Sequence, residues 1–161
     1  MKMYKSFKIL VILLILVNLS ILKVDAKSAP TLCCKEITTI KIGDGITKEI
    51  ITEQYNEKKI TRQSSTRSGR KTINYKNGST ILWSLTVYGN FTYNGTSAIC
   101  TSASVSTTCP ASDWKIKSAY AAKSGSTAIG YVTSNKYVWG IVVKTINDDV
   151  SLTCSKTGEL S

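Results

Sequence analysis

A chain of 161 residues with 21 lysines and arginines against 10 acids, and no histidine, carries a formal net charge of +11. The missing histidine excludes Ser-His-Asp and Cys-His catalysis and removes the commonest general base. No Cys-x-x-Cys spacing joins the five cysteines, so a zinc site has no ligand set and no metal or cofactor is expected.

The first 26 residues read as a secretory signal peptide. Lys2, Lys5 and Lys8 precede the apolar run 9–17, and Val24-Asp25-Ala26 supplies a cleavage point after Ala26. A retained membrane anchor is the rival reading. The run 9–22 is interrupted by Asn18 and Ser20, and it falls short of the ~20 residues that a span needs. Cleavage leaves 135 residues, removes four lysines and Asp25, and lowers the net charge to +8. That length suits one domain with its own core and no membrane span. The charge favours an anionic envelope polymer, a polysaccharide or a lipid surface as partner, and no nucleic acid is expected. Secretion is oxidising, so Cys33, Cys34, Cys100, Cys109 and Cys154 are disulfide candidates. An odd count leaves one cysteine free, capped, or linking two copies as a covalent dimer.

In chain order, residues 35–42 and 46–52 form a hairpin about Gly43-Asp44-Gly45. Glu49, Glu53 and Glu57 also fit a short helix over 47–58, but the β-branched content favours a strand. Segment 57–78 carries Lys58, Lys59, Arg62, Arg67, Arg70, Lys71 and Lys76 with no acid after Glu57 and few large apolar residues. It reads as a basic, mobile loop able to hold anions, or as a solvated edge. The domain plan is therefore signal peptide 1–26, hairpin and basic segment 27–78, and β core 79–161, the last two forming one domain.

The core opens on 83–100. Trp83, Leu85, Val87, Phe91 and Tyr93 share one phase of a period-two pattern, and Ser84, Thr86, Tyr88 and Thr92 take the other. Asn94-Gly95 signals a type I′ hairpin. Further strands are expected over 113–122, 127–133, 137–146 and 150–154, with connections at 123–126, 134–136 and 147–149. Short strands at regular spacing mean an all-β, antiparallel sandwich or barrel. Trp83 and Trp114 suit the core, whereas Tyr137 and Trp139 are the candidate exposed aromatics, able to stack on sugar rings. Asp113 and Asp149 are the first carboxylate pair to inspect for glycosidase chemistry, although both suit turns and no catalytic residue is assigned.

Cys100, Trp114 and Cys154 resemble the Cys…Trp…Cys spacing of immunoglobulin-like sandwiches, with Asp148 six before the last cysteine. Leu152 stands where that family places its corner tyrosine. The resemblance implies a Cys100–Cys154 bridge, leaving Cys109 to meet Cys33 or Cys34. Separately, residues 85–95, Ala98-Ile99-Cys100-Thr101-Ser102, Lys123-Ser124-Gly125 and Leu152-Thr153-Cys154-Ser155 resemble a group of small, uncharacterised secreted proteins of Gram-positive bacteria. That match runs over about residues 79–161 and implies location and fold but no activity. The resulting expectation is a secreted, non-enzymatic β domain binding at the cell envelope or an anionic or carbohydrate surface polymer. The alternative is a secreted antimicrobial (bacteriocin-like) or toxin-like protein.

Overall fold

The computed structural model describes residues 31–56 and 65–161. Eight strands make up most of them: β1 (Thr31–Gly43), β2 (Ile46–Asn56), β3 (Ser65–Asn77), β4 (Thr80–Tyr93), β5 (Ala98–Thr108), β6 (Trp114–Ser124), β7 (Thr127–Val138) and β8 (Ile141–Thr153). They form a five-stranded sheet, β1-β2-β3-β4-β5, and a three-stranded sheet, β6-β7-β8. All six strand pairings are antiparallel. The all-β antiparallel sandwich is therefore the observed architecture.

The core follows from the pattern in β4. Trp83, Leu85, Val87 and Phe91 are buried against the other sheet, and each contributes about 1.5–3 kcal/mol by leaving water. Gly89 interrupts the series because a Cβ there would lie 2.5 Å from the Phe91 ring. Trp83 stacks on Tyr75 of β3, with ring centroids 4.1 Å apart and planes at 14°. From the second sheet come Ala128 and Val132 of β7 and Val150 and Leu152 of β8. Gly130 lets β7 approach closely, since a Cβ there would meet Val105 at 2.9 Å.

The two sheets do not overlap fully. The three-stranded sheet packs on β3, β4 and β5, leaving β1 exposed along all 13 positions. Several polar contacts tie the overhang down, and the most buried of them centres on Asp148. Asp148 Oδ2 of β8 accepts the Tyr75 hydroxyl at 2.8 Å and pairs with Lys48 Nζ of β2 at 2.5 Å.

The ends of the sandwich are finished differently. At one end Cys100 and Cys154 donate their backbone N–H groups to Gly125 and Ser126, the β6–β7 turn, at 2.8 and 2.9 Å. The C-terminal segment covers that end: Gly158 O accepts from Arg67 Nε at 3.0 Å, and Leu160 N donates to Gln54 Oε1 at 3.1 Å. The other end carries three tight turns, at Asp44-Gly45, Gly78-Ser79 and Trp139-Gly140.

Several sequence expectations need correction. Residues 46–56 are strand, so the helix alternative is not taken over 47–56, and 57–58 lie outside the described residues. Residues 65–77 are not a loop but a strand within the sheet, with Ile73 and Tyr75 in the core. Two apolar residues suffice because only alternate positions face inward. Residues 134–136 and 147–149 lie inside β7 and β8, and the turn falls at Trp139-Gly140 instead. Asn94-Gly95 is part of a longer loop, since Tyr93 pairs with Ala98 and Asn94 has no positive φ. Asn94 Oδ1 organises that loop by accepting from the Thr96 and Ser97 backbone N–H groups at 3.0 and 2.9 Å.

The immunoglobulin comparison also changes. Neighbouring strands are consecutive throughout both sheets, a plain meander without the Greek-key return of immunoglobulin domains. Trp114 is buried, but it starts β6 while both cysteines hold the turn after that strand's far end. It therefore cannot pack on a Cys100–Cys154 bridge.

Candidate functional site

The basic segment is the first place to look for an anion site. Lys58, Lys59 and Arg62 lie outside the described residues, as does the segment 1–26 expected to be a signal peptide. The rest of the segment is divided between two faces by the strand that carries it. Arg67 and Lys71 share the inward phase with Ile73, whereas Arg70 and Lys76 take the outward one. Arg67 lies over the Tyr93 ring at 5.9 Å. Desolvation pulls the Lys71 ammonium below its ordinary range. Arg70 hydrogen-bonds Glu53, and Lys76 bonds Glu49 at 3.1 Å. Arg70 and Lys76 are thus each matched by a carboxylate of β2, while Arg67 and Lys71 lie on the opposite face.

The thiols separate into three groups. Cys100 and Cys154 are buried beside the same turn and unbridged, each Sγ donating to a local carbonyl, Ser102 O at 3.3 Å and Ser155 O at 3.4 Å. Burial pushes both thiols up. Cys33 and Cys34 are exposed with Sγ atoms 3.2 Å apart. In a regular strand neighbouring side chains point to opposite faces, but β1 has a register shift between Leu32 and Cys34. Their shared hydrogen bond raises the Cys34 thiol. Cys109 follows β5, at the other end and the far edge of the five-stranded sheet. Four strand spacings put it about 19 Å from β1, too far for a bridge to Cys33 or Cys34. That pairing is excluded.

Asp113 and Asp149 do not assemble a hydrolytic pair. Asp113 sits at the end of the molecule, where its carbonyl accepts from Tyr137 N at 2.7 Å and its carboxylate approaches Lys136 Nζ at 3.7 Å. Asp149 pairs with Tyr131, six positions back along β7 from Tyr137. That places the two acids about 20 Å apart, against the ~5–9 Å of glycosidase carboxylates. Among the described residues no group of three or more metal-ligating side chains forms.

Besides the exposed β1, two surfaces stand out among the described residues. The first is on the outer face of the small sheet. Tyr120 and Tyr131 are directly paired across β6 and β7 and stack, centroids 4.8 Å apart and planes at 21°. Thr133, Asn147 and Asp149 line the same shallow groove. Thr133 Oγ1 donates to Asn147 Oδ1 at 2.9 Å, which orients the amide beside the rings. Tyr120 is 58% exposed, so one ring has a free face. Sequence reasoning missed this pair because Tyr120 and Tyr131 belong to separate strands and only their register brings them together.

The second surface is the β7–β8 hairpin tip. Trp139 is 97% exposed, and Val138, Ile141, Val142 and Val143 beside it are exposed too. Tyr137, the other expected exposed aromatic, is partly buried and lies under Lys115 Nζ at 5.2 Å from its ring centre. No helix among the described residues is long and apolar enough to cross a membrane. Comparison with family models, curated proteins and solved structures finds no match to this chain.

Proposed function

We propose that this chain is a secreted, non-enzymatic binding domain of the cell envelope, taking a carbohydrate-bearing surface polymer on the outer face of its small sheet. The observation that carries this reading is the stacked Tyr120–Tyr131 pair beside Thr133, Asn147 and Asp149. An aromatic face packs on the C–H face of a sugar ring, while neighbouring hydroxyl, amide and carboxylate groups take its hydroxyls. The net charge of +8 expected after signal cleavage adds a long-range pull toward anionic polymers. Secretion would also oxidise the thiols, and Cys100 with Cys154 is the buried pair that flanks one turn. Its closure would contribute about 4 kcal/mol by chain entropy. The exposed Cys33-Cys34 pair supplies the thiol for a covalent dimer.

The test is retention of the purified protein on isolated cell wall and on its released polysaccharide. Wild type is expected to bind and to be released in part by salt. Tyr120→Ala and Tyr131→Ala are each expected to weaken retention about tenfold, a loss of about 1.4 kcal/mol. Unchanged retention in the double variant would remove the platform from the reading. A second reading, an antimicrobial or toxin-like protein, is favoured by the exposed apolar hairpin 138–143. Permeabilisation of related bacteria by the purified protein is the result that supports it.

A further inference from the structure

We infer that the β7–β8 hairpin tip is a docking element for an anionic phospholipid bilayer, with Trp139 as its interfacial anchor. Four observations converge on it.

The first is exposure. The tip places Val138, Trp139, Ile141, Val142 and Val143 in water together, and Trp139 touches the rest of the fold over almost none of its surface. Scattered apolar residues on a surface need no explanation, but a contiguous group at one end does. The second is backbone cost. Val138 pairs with Ile141, so Trp139-Gly140 is a two-residue turn, and both residues have positive φ, 54° and 80°. Type I′ turns favour Asn-Gly or Asp-Gly, and a bulky side chain in the left-handed region is disfavoured. A strained residue that contributes no packing to its own fold points to a use outside that fold.

The third observation is charge. Lys41 lies near the end of β1, Lys115 near the start of β6, and Lys136 faces Lys144 across the hairpin. Lys136 is ion-paired to Asp113 and Lys144 to Asp44, so Lys41 and Lys115 leave an excess of two positive charges at this end. Lys144 Nζ bonds Asp44 at 3.0 Å, which holds the β1–β2 turn beside the hairpin. The fourth is the adjoining apolar surface, with Ile42 exposed next to Asp44. Tryptophan favours the headgroup level of a bilayer, and lysines near the surface are attracted to anionic lipid. An apolar tip collared by lysine therefore matches an acidic lipid surface in both polarity and charge. A neutral protein surface would leave the collar unmatched.

This surface lies seven positions along β7 from Tyr131, about 23 Å away. It goes beyond the polymer-binding reading, and the two stand or fall separately.

The experiment uses the secreted form beginning at Lys27, which contains every described residue. It is mixed with phosphatidylcholine vesicles, with and without phosphatidylglycerol, and followed by co-sedimentation and tryptophan emission. Trp83 and Trp114 are buried, so a blue shift on binding reports Trp139. Wild type is expected to bind the phosphatidylglycerol vesicles with a blue shift. Trp139→Asn is expected to bind at least about tenfold more weakly, and its thermal midpoint, equal to or above that of wild type, separates lost anchoring from lost folding. Lys136→Gln with Lys144→Gln should abolish the preference for phosphatidylglycerol. Equal vesicle binding by wild type and Trp139→Asn overturns the proposal, as does no binding by either. So does concentration-dependent dimerisation lost in Trp139→Asn without vesicle binding, which would make a second copy the occupant. Vesicle binding that survives Tyr120→Ala supports the independence of the two surfaces, and its loss there counts against the hairpin.

Discussion

Two hairpin turns stand side by side at one end of this molecule and share a backbone geometry while differing in chemistry. Asp44-Gly45 joins β1 to β2 with φ of 52° and 72°, and Trp139-Gly140 joins β7 to β8 with φ of 54° and 80°. The first uses a residue pair that the geometry itself favours. Aspartate tolerates the left-handed region because its short polar side chain bonds locally. The second places the largest side chain in the same conformation and leaves it in solvent. Backbone preference explains the first turn completely and argues against the second. The lesson is that a turn can be read from its sequence only where local stability chose its residues.

The hairpins also differ in how they are held. The β1–β2 ribbon overhangs the small sheet, and Asp148 of β8 is one of the polar contacts that fasten it, holding Lys48 of β2 beside Tyr75 of β3. Burial and the Asp148 carboxylate push the Tyr75 hydroxyl far above its ordinary range, so it stays a donor at any physiological pH. Breaking this contact is the largest expected effect. Asp148→Ala leaves a largely buried lysine and a buried hydroxyl without their acceptor, and is expected to cost about 2–3 kcal/mol. Chemical denaturation should show the loss, with the β1–β2 amides exchanging fastest. Tyr75→Phe should lose less, about 1.5 kcal/mol, because the Asp148 carboxylate keeps Lys48 as its partner.

Exchanging the turn residues sharpens the comparison directly. Asp44→Trp is expected to destabilise by about 1–2 kcal/mol, the cost of a bulky residue in the left-handed region. Trp139→Asn is expected to stabilise by about 1 kcal/mol, since Trp139 contributes no packing. Opposite signs in thermal unfolding would confirm that only the first turn was chosen for stability. A destabilised Trp139→Asn would show that the tryptophan packs after all.

The smallest effect is acid sensitivity near the first hairpin. Asn74 Nδ2 and Lys76 Nζ bond the Glu49 carboxylate at 2.8 and 3.1 Å and hold it below the usual glutamate range, the amide contributing most. A depressed carboxylate stabilises the fold fully above its unfolded value of about 4.3 and loses that contribution as pH falls through the folded value. Solvent access limits the term to under about 1 kcal/mol. Glu49→Gln should flatten that part of the acid limb, while the pH-7 stability falls only slightly.

Much of the fold was legible in the chain because strand burial has a period of two. The alternation in residues 83–93 named Trp83, Leu85, Val87 and Phe91 as core, and Gly43-Asp44-Gly45 announced its turn. The last two strands were misread for one physical reason. Asn147, Asp148 and Asp149 look like turn chemistry and Trp139 looks like strand, yet the aspartates face an outer groove and a buried clamp while the tryptophan makes the turn. Local composition reports intrinsic preference, and at both places another demand overrides it.

By itself the sequence determined the all-β class, the inner face of β4, the first hairpin and the absence of histidine chemistry. Those follow from residue identity and short-range periodicity, which need no knowledge of distant neighbours. Only the tertiary structure decided the meander order, the division of the basic residues between two faces, and the impossibility of joining Cys109 to Cys33 or Cys34. It alone set Tyr120 against Tyr131 and gathered an apolar, lysine-collared tip at one end. Each of these depends on strand register and on which sheet a strand enters, quantities fixed by packing across the whole chain.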